Sequence, residues 1–217
     1  MPFSSIFSTI IAMDFQFIFS LAVLLFSVVV HEVSHGYAAL MQGDKTAEYA
    51  GRLTLNPIRH IDMVGTILLP ALTLMLPGGF LFGWAKPVPY NPYNLKNQRW
   101  GELWVALAGP LSNLALALVF GLFIRFYGSS LLDSPVVLMS ATIVLVNITL
   151  AVFNMMPVPP LDGSKVLSAL LPPRFIEVRQ RIEQFGFVGV LLFVIIIWQF
   201  IYPVVPWTFS FITGINL

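Results

Sequence analysis

The chain has 217 residues, 58% of them hydrophobic and 10% charged, with a net charge of +1 at pH 7. Soluble domains carry about 25% charged residues, so these figures, with a mean hydropathy of +0.87, exclude an ordinary soluble domain and indicate an integral membrane protein. The near-zero charge leaves no basis for nucleic-acid binding, and the absence of cysteine means that any metal here takes nitrogen and oxygen ligands.

Residues 1–13 read as a short apolar leader lying at the interface. They hold no Lys or Arg and no convincing small-x-small cleavage site, so the first apolar helix is expected to stay in the mature protein. The first span is expected over about 15–40, with Gly43 as its stop. Residues 44–63 are polar, and Arg52 to Pro57 could hold a short strand. The apolar stretch 64–84 is broken by Pro70 and by Pro77-Gly78-Gly79, and continues into the extended Gly83-Trp84-Ala85-Lys86-Pro87-Val88-Pro89. Further spans are expected at about 102–127, 136–156 and 185–202. A short helix follows Ser164, a charged amphipathic stretch runs from Arg174 to Gln184, and an apolar tail closes the chain after Pro203. No internal repeat and no long hydrophilic stretch is present, so residues 1–217 form a single membrane-embedded domain. The expected class is all-α and polytopic, with about four to six transmembrane helices, a re-entrant segment at 64–84 and room for a short membrane-associated β-hairpin.

The first span ends in His31-Glu32-Val33-Ser34-His35, the pattern H-E-x-x-H. Histidines four apart share one helix face, so two imidazoles can hold one zinc ion at about 2.0–2.1 Å each. Glu32, adjacent to the first ligand, can serve as general base, and zinc lowers the pKa of a water to about 7. Counting about 1.5 Å per residue puts His31 roughly 24 Å along from Phe15, still inside the apolar slab. Two histidines and a carboxylate at that depth oppose insertion, and a bound metal compensates them.

A catalytic zinc needs a third protein ligand, for which His60 and Asp162 are the candidates. His60 stands in a polar loop beside Arg59, where a solvated or interfacial role is expected. Asp162 stands where a span meets its Pro-rich end. If 64–84 crosses the membrane once, His35 and Asp162 end on opposite faces. If it dips in and returns, they share a face. The dip places ten of the eleven Lys and Arg residues on one side, with Arg125 alone opposite, whereas a single crossing divides them four against seven. The positive-inside rule favours the dip and puts the loops after His35 and Asp162 in the cytoplasm. Asp162 is then the better third ligand.

H-E-V-S-H-G in the first span, with N-M-M-P-V-P-P-L-D-G at 154–163, resembles the site-2 protease family of intramembrane zinc metalloproteases. A-G-P-L-S-N at 108–113 and G-W-A-K-P-V-P at 83–89 are similar to its compact prokaryotic branch, which has neither a PDZ nor a nucleotide-binding CBS domain. The resemblance spans about 15–171. It implies one zinc ion per chain held by His31, His35 and Asp162, with Glu32 as the base that activates water. It also implies that Asn154 helps to bind the substrate carbonyl or oxyanion. Asn113 supports helix packing, with Gly109 allowing close approach. The implied partners are transmembrane protein substrates within the lipid bilayer of the cell membrane, cut near its cytoplasmic side. A transmembrane helix must unwind to expose its carbonyls, and residues 84–90 offer a strand edge that could capture it. The other class of reading is a metal transporter or metal-binding membrane protein. The chain lacks the further intramembrane acids, histidines or inverted repeats such a protein usually carries.

Overall fold

The computed structural model describes residues 3–75, 83–128, 134–171 and 196–216, and side chains from Phe15 onward, Leu74 excepted. Helix α1 runs from Phe3 to Met41. It starts well before residue 15 because neither Gly nor Pro interrupts the sequence between Phe3 and His35. Four helices among the described residues are long and apolar enough to cross a membrane: Phe15–Met41, Gln98–Tyr127, Pro135–Asn154 and Ile196–Thr213.

Short helix α2, Thr46–Tyr49, follows α1. Asp44 organises this turn: its carboxylate accepts from the backbone and hydroxyl of Thr46, from Asn94 Nδ2 and from the backbone of Asn91. One side chain thereby ties 44–46 to 91–94. Residues 52–57 are not a strand, since Pro57 opens a 3-10 turn, Pro57–His60, capped by the Asn56 side chain on Ile58 N. No strand and no β-hairpin occurs among the described residues. In the extended stretch 83–91 the reason is Pro87 and Pro89, which have no N–H to contribute to a ladder.

The broken segment leaves through a π-helical turn, Met63–Leu68, whose start is capped by Asp62, and continues as α3, Leu69–Leu74. It comes back to where it left: Trp84 N donates to Gly65 O at 3.0 Å, and Thr66 Oγ1 donates to Trp84 O at 2.9 Å. Entry and exit thus adjoin each other.

Helix α4, Gln98–Tyr127, starts at Asn97, whose side chain accepts from Trp100 N. Helix α5 is Pro135–Asn154 and begins with Ser134 as cap and Pro at its first position. It stops short of Met156 because Pro157, Pro159 and Pro160 follow. Helix α6, Asp162–Leu170, is anchored by Arg99 of α4, which donates to the carbonyls of Ala169, Leu170 and Leu171. Residues 172–195, with Arg174 to Gln184 and most of the span expected at 185–202, lie outside the described residues. Beyond Tyr202, where the sequence suggested only a tail, α7 occupies Val204–Thr213. Helix α4 is the hub, packing against α1, α5, α6 and α7. Toward α7 its core contacts are apolar, with Ala117 and Ile124 meeting Val144, Ile148, Phe209 and Ile212, and Arg125 donates to the carbonyls of Phe211 and Ile212.

Candidate active site and metal centre

Two helices bring His31, His35 and Asp162 together. His31 and His35 lie one turn apart on α1, and Asp162 opens α6. His31 Nε2 and His35 Nε2 are 3.0 Å apart, and Asp162 Oδ2 lies 3.1 Å from the first and 3.2 Å from the second. All three residues are buried. The space over them comes from Gly109 of α4, where a Cβ would collide with both imidazoles. Gly109 therefore admits the two rings, a more specific task than helix packing.

The hydrogen bonds behind the rings decide which nitrogens carry protons. His35 Nδ1 faces the Val105 carbonyl at 2.6 Å, and a carbonyl can only accept. His31 Nδ1 faces Asn113 Oδ1 at 2.6 Å. The Asn113 amide is oriented by donating to Asn147 Oδ1 at 2.8 Å and to Ser27 O at 3.3 Å, and Asn147 donates to Ser27 Oγ at 2.9 Å. Both Nδ1 atoms are thus donors, and both Nε2 atoms turn lone pairs toward each other and toward a carboxylate. Three acceptors at this spacing repel without a positive centre. A proton can link two of them, whereas a metal ion bonds all three. A tetrahedral ion with bonds of about 2.0–2.1 Å holds its ligand atoms about 3.3 Å apart, so the cluster fits one closely. His31, His35 and Asp162 form the group able to hold a metal among the described residues. His60 is outside it and is buried rather than solvated, its Nε2 donating to Thr54 O.

The cluster opens on one side into a cavity of about 140 Å³, lined among others by Glu32, Val88, Tyr90, Asn154 and Lys165. Three protein ligands with an open fourth position is the pattern of catalytic zinc sites. Glu32 reaches this cavity, and its Oε2 accepts from Val88 N at 2.8 Å. Asn154 lines the same cavity while its Nδ2 donates to Leu150 O.

The roof is the extended segment 83–91, and the edge that carries Trp84, Lys86 and Val88 is already paired. Its amides at Trp84, Lys86, Val88 and Asn91 donate to Gly65 O, His60 O, Glu32 and Asp44, and buried Arg52 holds the carbonyls of Lys86 and Pro87. Of the supports of the site, the sequence singled out Asn113 and Gly109, for helix packing; the others it did not mark. Asn147 offered one usable signal: a buried amide in an apolar span must find a partner. The Val105 carbonyl and the Val88 amide are backbone groups that no residue type reveals.

Comparison with known proteins agrees with this geometry. The description of peptidase family M50 matches residues 19–142 and 123–197. The chain is 38% identical over 176 residues to "Putative zinc metalloprotease YwhC" of Bacillus subtilis (strain 168), covering 78% of this chain and 76% of that protein. It is 32% identical over 200 residues to "Putative zinc metalloprotease Rip2" of Mycolicibacterium smegmatis (strain ATCC 700084 / mc(2)155), covering 90% and 74%. No solved structure matches the chain. The first matched segment carries His31 and His35 and the second carries Asp162, so both halves of the cluster fall within the likeness, and the chain belongs to peptidase family M50, the site-2 protease family of metallopeptidases.

Proposed function

We propose that this multi-pass membrane protein is a zinc-dependent endopeptidase that hydrolyses peptide bonds within or near transmembrane segments of other membrane proteins. The observation that carries the reading is the convergence of two imidazole lone pairs and a carboxylate beside Glu32, at the edge of helices apolar enough to span a bilayer. His31, His35 and Asp162 hold one zinc ion per chain. Bound there, the ion acidifies water and polarises a carbonyl.

The chain's own groups do the rest. Val88 N–H occupies one oxygen of Glu32 and fixes the carboxylate, leaving the other oxygen for proton transfer. Glu32 takes a proton from water as the water oxygen attacks the scissile carbonyl carbon. It returns that proton to the amide nitrogen as the C–N bond breaks. Asn154, at the cavity wall, helps to orient the substrate carbonyl. Residues 1–217 act as one domain, with 64–84 re-entrant and the site near the cytoplasmic face of the cell membrane. The adjoining ends of that segment and the one-sided Lys and Arg support this topology. Substrates are transmembrane proteins that unwind locally to reach the cavity.

The test pairs metal analysis of the purified protein with cleavage of a panel of transmembrane peptides by wild type and Glu32→Gln. The expected result is about one zinc per chain in both proteins and cleavage only by wild type. Zinc in both with no Glu32-dependent cleavage would instead favour metal transport or storage.

A further inference from the structure

Hydrolysis places negative charge on the scissile carbonyl oxygen, yet the cavity already holds two carboxylates, Glu32 and Asp162. Among its lining residues Lys165 is the sole permanent cation. It stands one turn into α6, three residues after Asp162. Its Nζ lies 3.8 Å from Asp162 Oδ1, whereas it is Oδ2 that meets the imidazoles. The face of the Tyr90 ring, 5.3 Å from Nζ, holds the ammonium at the roof of the cavity. Lys165 makes no hydrogen bond among the described residues, and its side chain is 26% exposed. Its ammonium, paired with Asp162 only at ion-pair distance, thus lines the cavity with N–H groups not taken up in hydrogen bonds to the described residues, whereas the Asn154 amide nitrogen already donates to the helix behind it.

We propose that Lys165 is the electrostatic partner of the oxyanion, donating a charge-assisted hydrogen bond to the scissile carbonyl oxygen as it becomes negative. The inference rests on the peptidase reading above. No proton is transferred: the ammonium keeps its charge throughout, and the bond strengthens as the oxygen gains its own. A donor that acts only on developing charge contributes about 10²–10³-fold to turnover and little to substrate binding.

The experiment compares wild type, Lys165→Met, Lys165→Arg and Glu32→Gln in detergent. The readouts are zinc content, cleavage of a single-span transmembrane peptide, and binding of a short apolar peptide phosphonamidate beside its neutral amide parent. Lys165→Met is expected to keep its zinc and lose about 10²-fold in kcat with KM little changed. It should bind the anionic phosphonamidate at least about tenfold more weakly and the neutral peptide as wild type does. Lys165→Arg should recover most of both losses. Lys165→Met that cleaves and binds the phosphonamidate like wild type overturns the inference and leaves the peptidase reading intact. Zinc loss in step with activity also overturns it, since Lys165 would then only support the ligand Asp162. Wild type that holds zinc but shows no Glu32-dependent cleavage removes the reading and the inference together.

Discussion

At the α7 end of the bundle, α4, α5 and α7 meet through Ala117, Ile124, Val144, Ile148 and Phe209. At the α6 end the same two helices meet α1 through Asn113, Asn147, Ser27 and His31, all buried. Lipid tails are as apolar as these side chains, so the core of the first interface rests on close packing, with Arg125 of α4 adding hydrogen bonds to the Phe211 and Ile212 carbonyls of α7 at its edge. The second uses directional bonds, each leaving a buried polar group unsatisfied if broken, at a cost of about 1–3 kcal/mol. Packing tolerates small rotations of one helix on another, whereas a chain of amides ending on an imidazole does not. The end that needs accurate placement is the end built from polar bonds.

The contrast breaks most sharply at the cluster itself. His31→Ala or Asp162→Ala should abolish zinc binding and reduce cleavage by about 10³-fold or more, read by metal analysis and peptide cleavage. Nothing comparable is expected from any single change at the α7 end.

The same substitution in each half sharpens it further. Gly109→Ala drives a Cβ into both imidazoles, which are held from behind by Asn113 and Val105 and cannot retreat. Zinc affinity, measured by chelator competition, should fall by about 10–100-fold. Gly121→Ala meets the side chain of Ile212. It should cost about 1–3 kcal/mol of stability and leave zinc affinity unchanged.

Beneath the cluster the expected effects shrink with distance. Asn113→Leu removes the acceptor of His31 and should weaken zinc binding by about 10-fold or more. Asn147→Leu acts only through Asn113 and should weaken it less. Ile148→Val, the adjacent residue, should cost about 0.5–1.5 kcal/mol with no change in zinc.

How much of this was legible follows the same division. The four-residue spacing of His31 and His35 on an uninterrupted apolar helix is a local property, and so readable. That Asp162 returns to them followed from counting crossings and charges, because a membrane limits topology to two faces. The extended 83–91 segment was also visible from its prolines, but its partners were not. Its amides go to Glu32 and to backbone carbonyls brought close by the returning loop, and backbone pairing leaves no mark on residue type. Lys165 read as one basic residue among eleven: its three-residue spacing from Asp162 is local, but its place against Tyr90 depends on where the roof segment ends. The start of α1 at Phe3 was missed because hydropathy marks the length of a span and says nothing of where a helix begins.

The smallest effect concerns Asp44, at the junction of the two loops that carry the roof. Burial pushes its carboxyl up, but hydrogen bonds from Thr46, Asn94 and Asn91 outweigh that and hold it below the ordinary carboxylate value. A carboxyl with a lowered folded-state pKa adds stability that is complete above its unfolded value, about 3.9. That stability is lost as pH falls toward and through the folded value. In Asp44→Asn the nitrogen that replaces one oxygen opposes the donors around it, so the variant should be less stable than wild type by about 1 kcal/mol near pH 7. The difference in thermal midpoint between the two proteins should shrink as pH falls below about 4, because protonated Asp44 has lost the same acceptor capacity. Other carboxylates titrate in both proteins and cancel in that difference. A gap that stays constant from neutral to acid pH would show that Asp44 holds the junction by shape and not by charge.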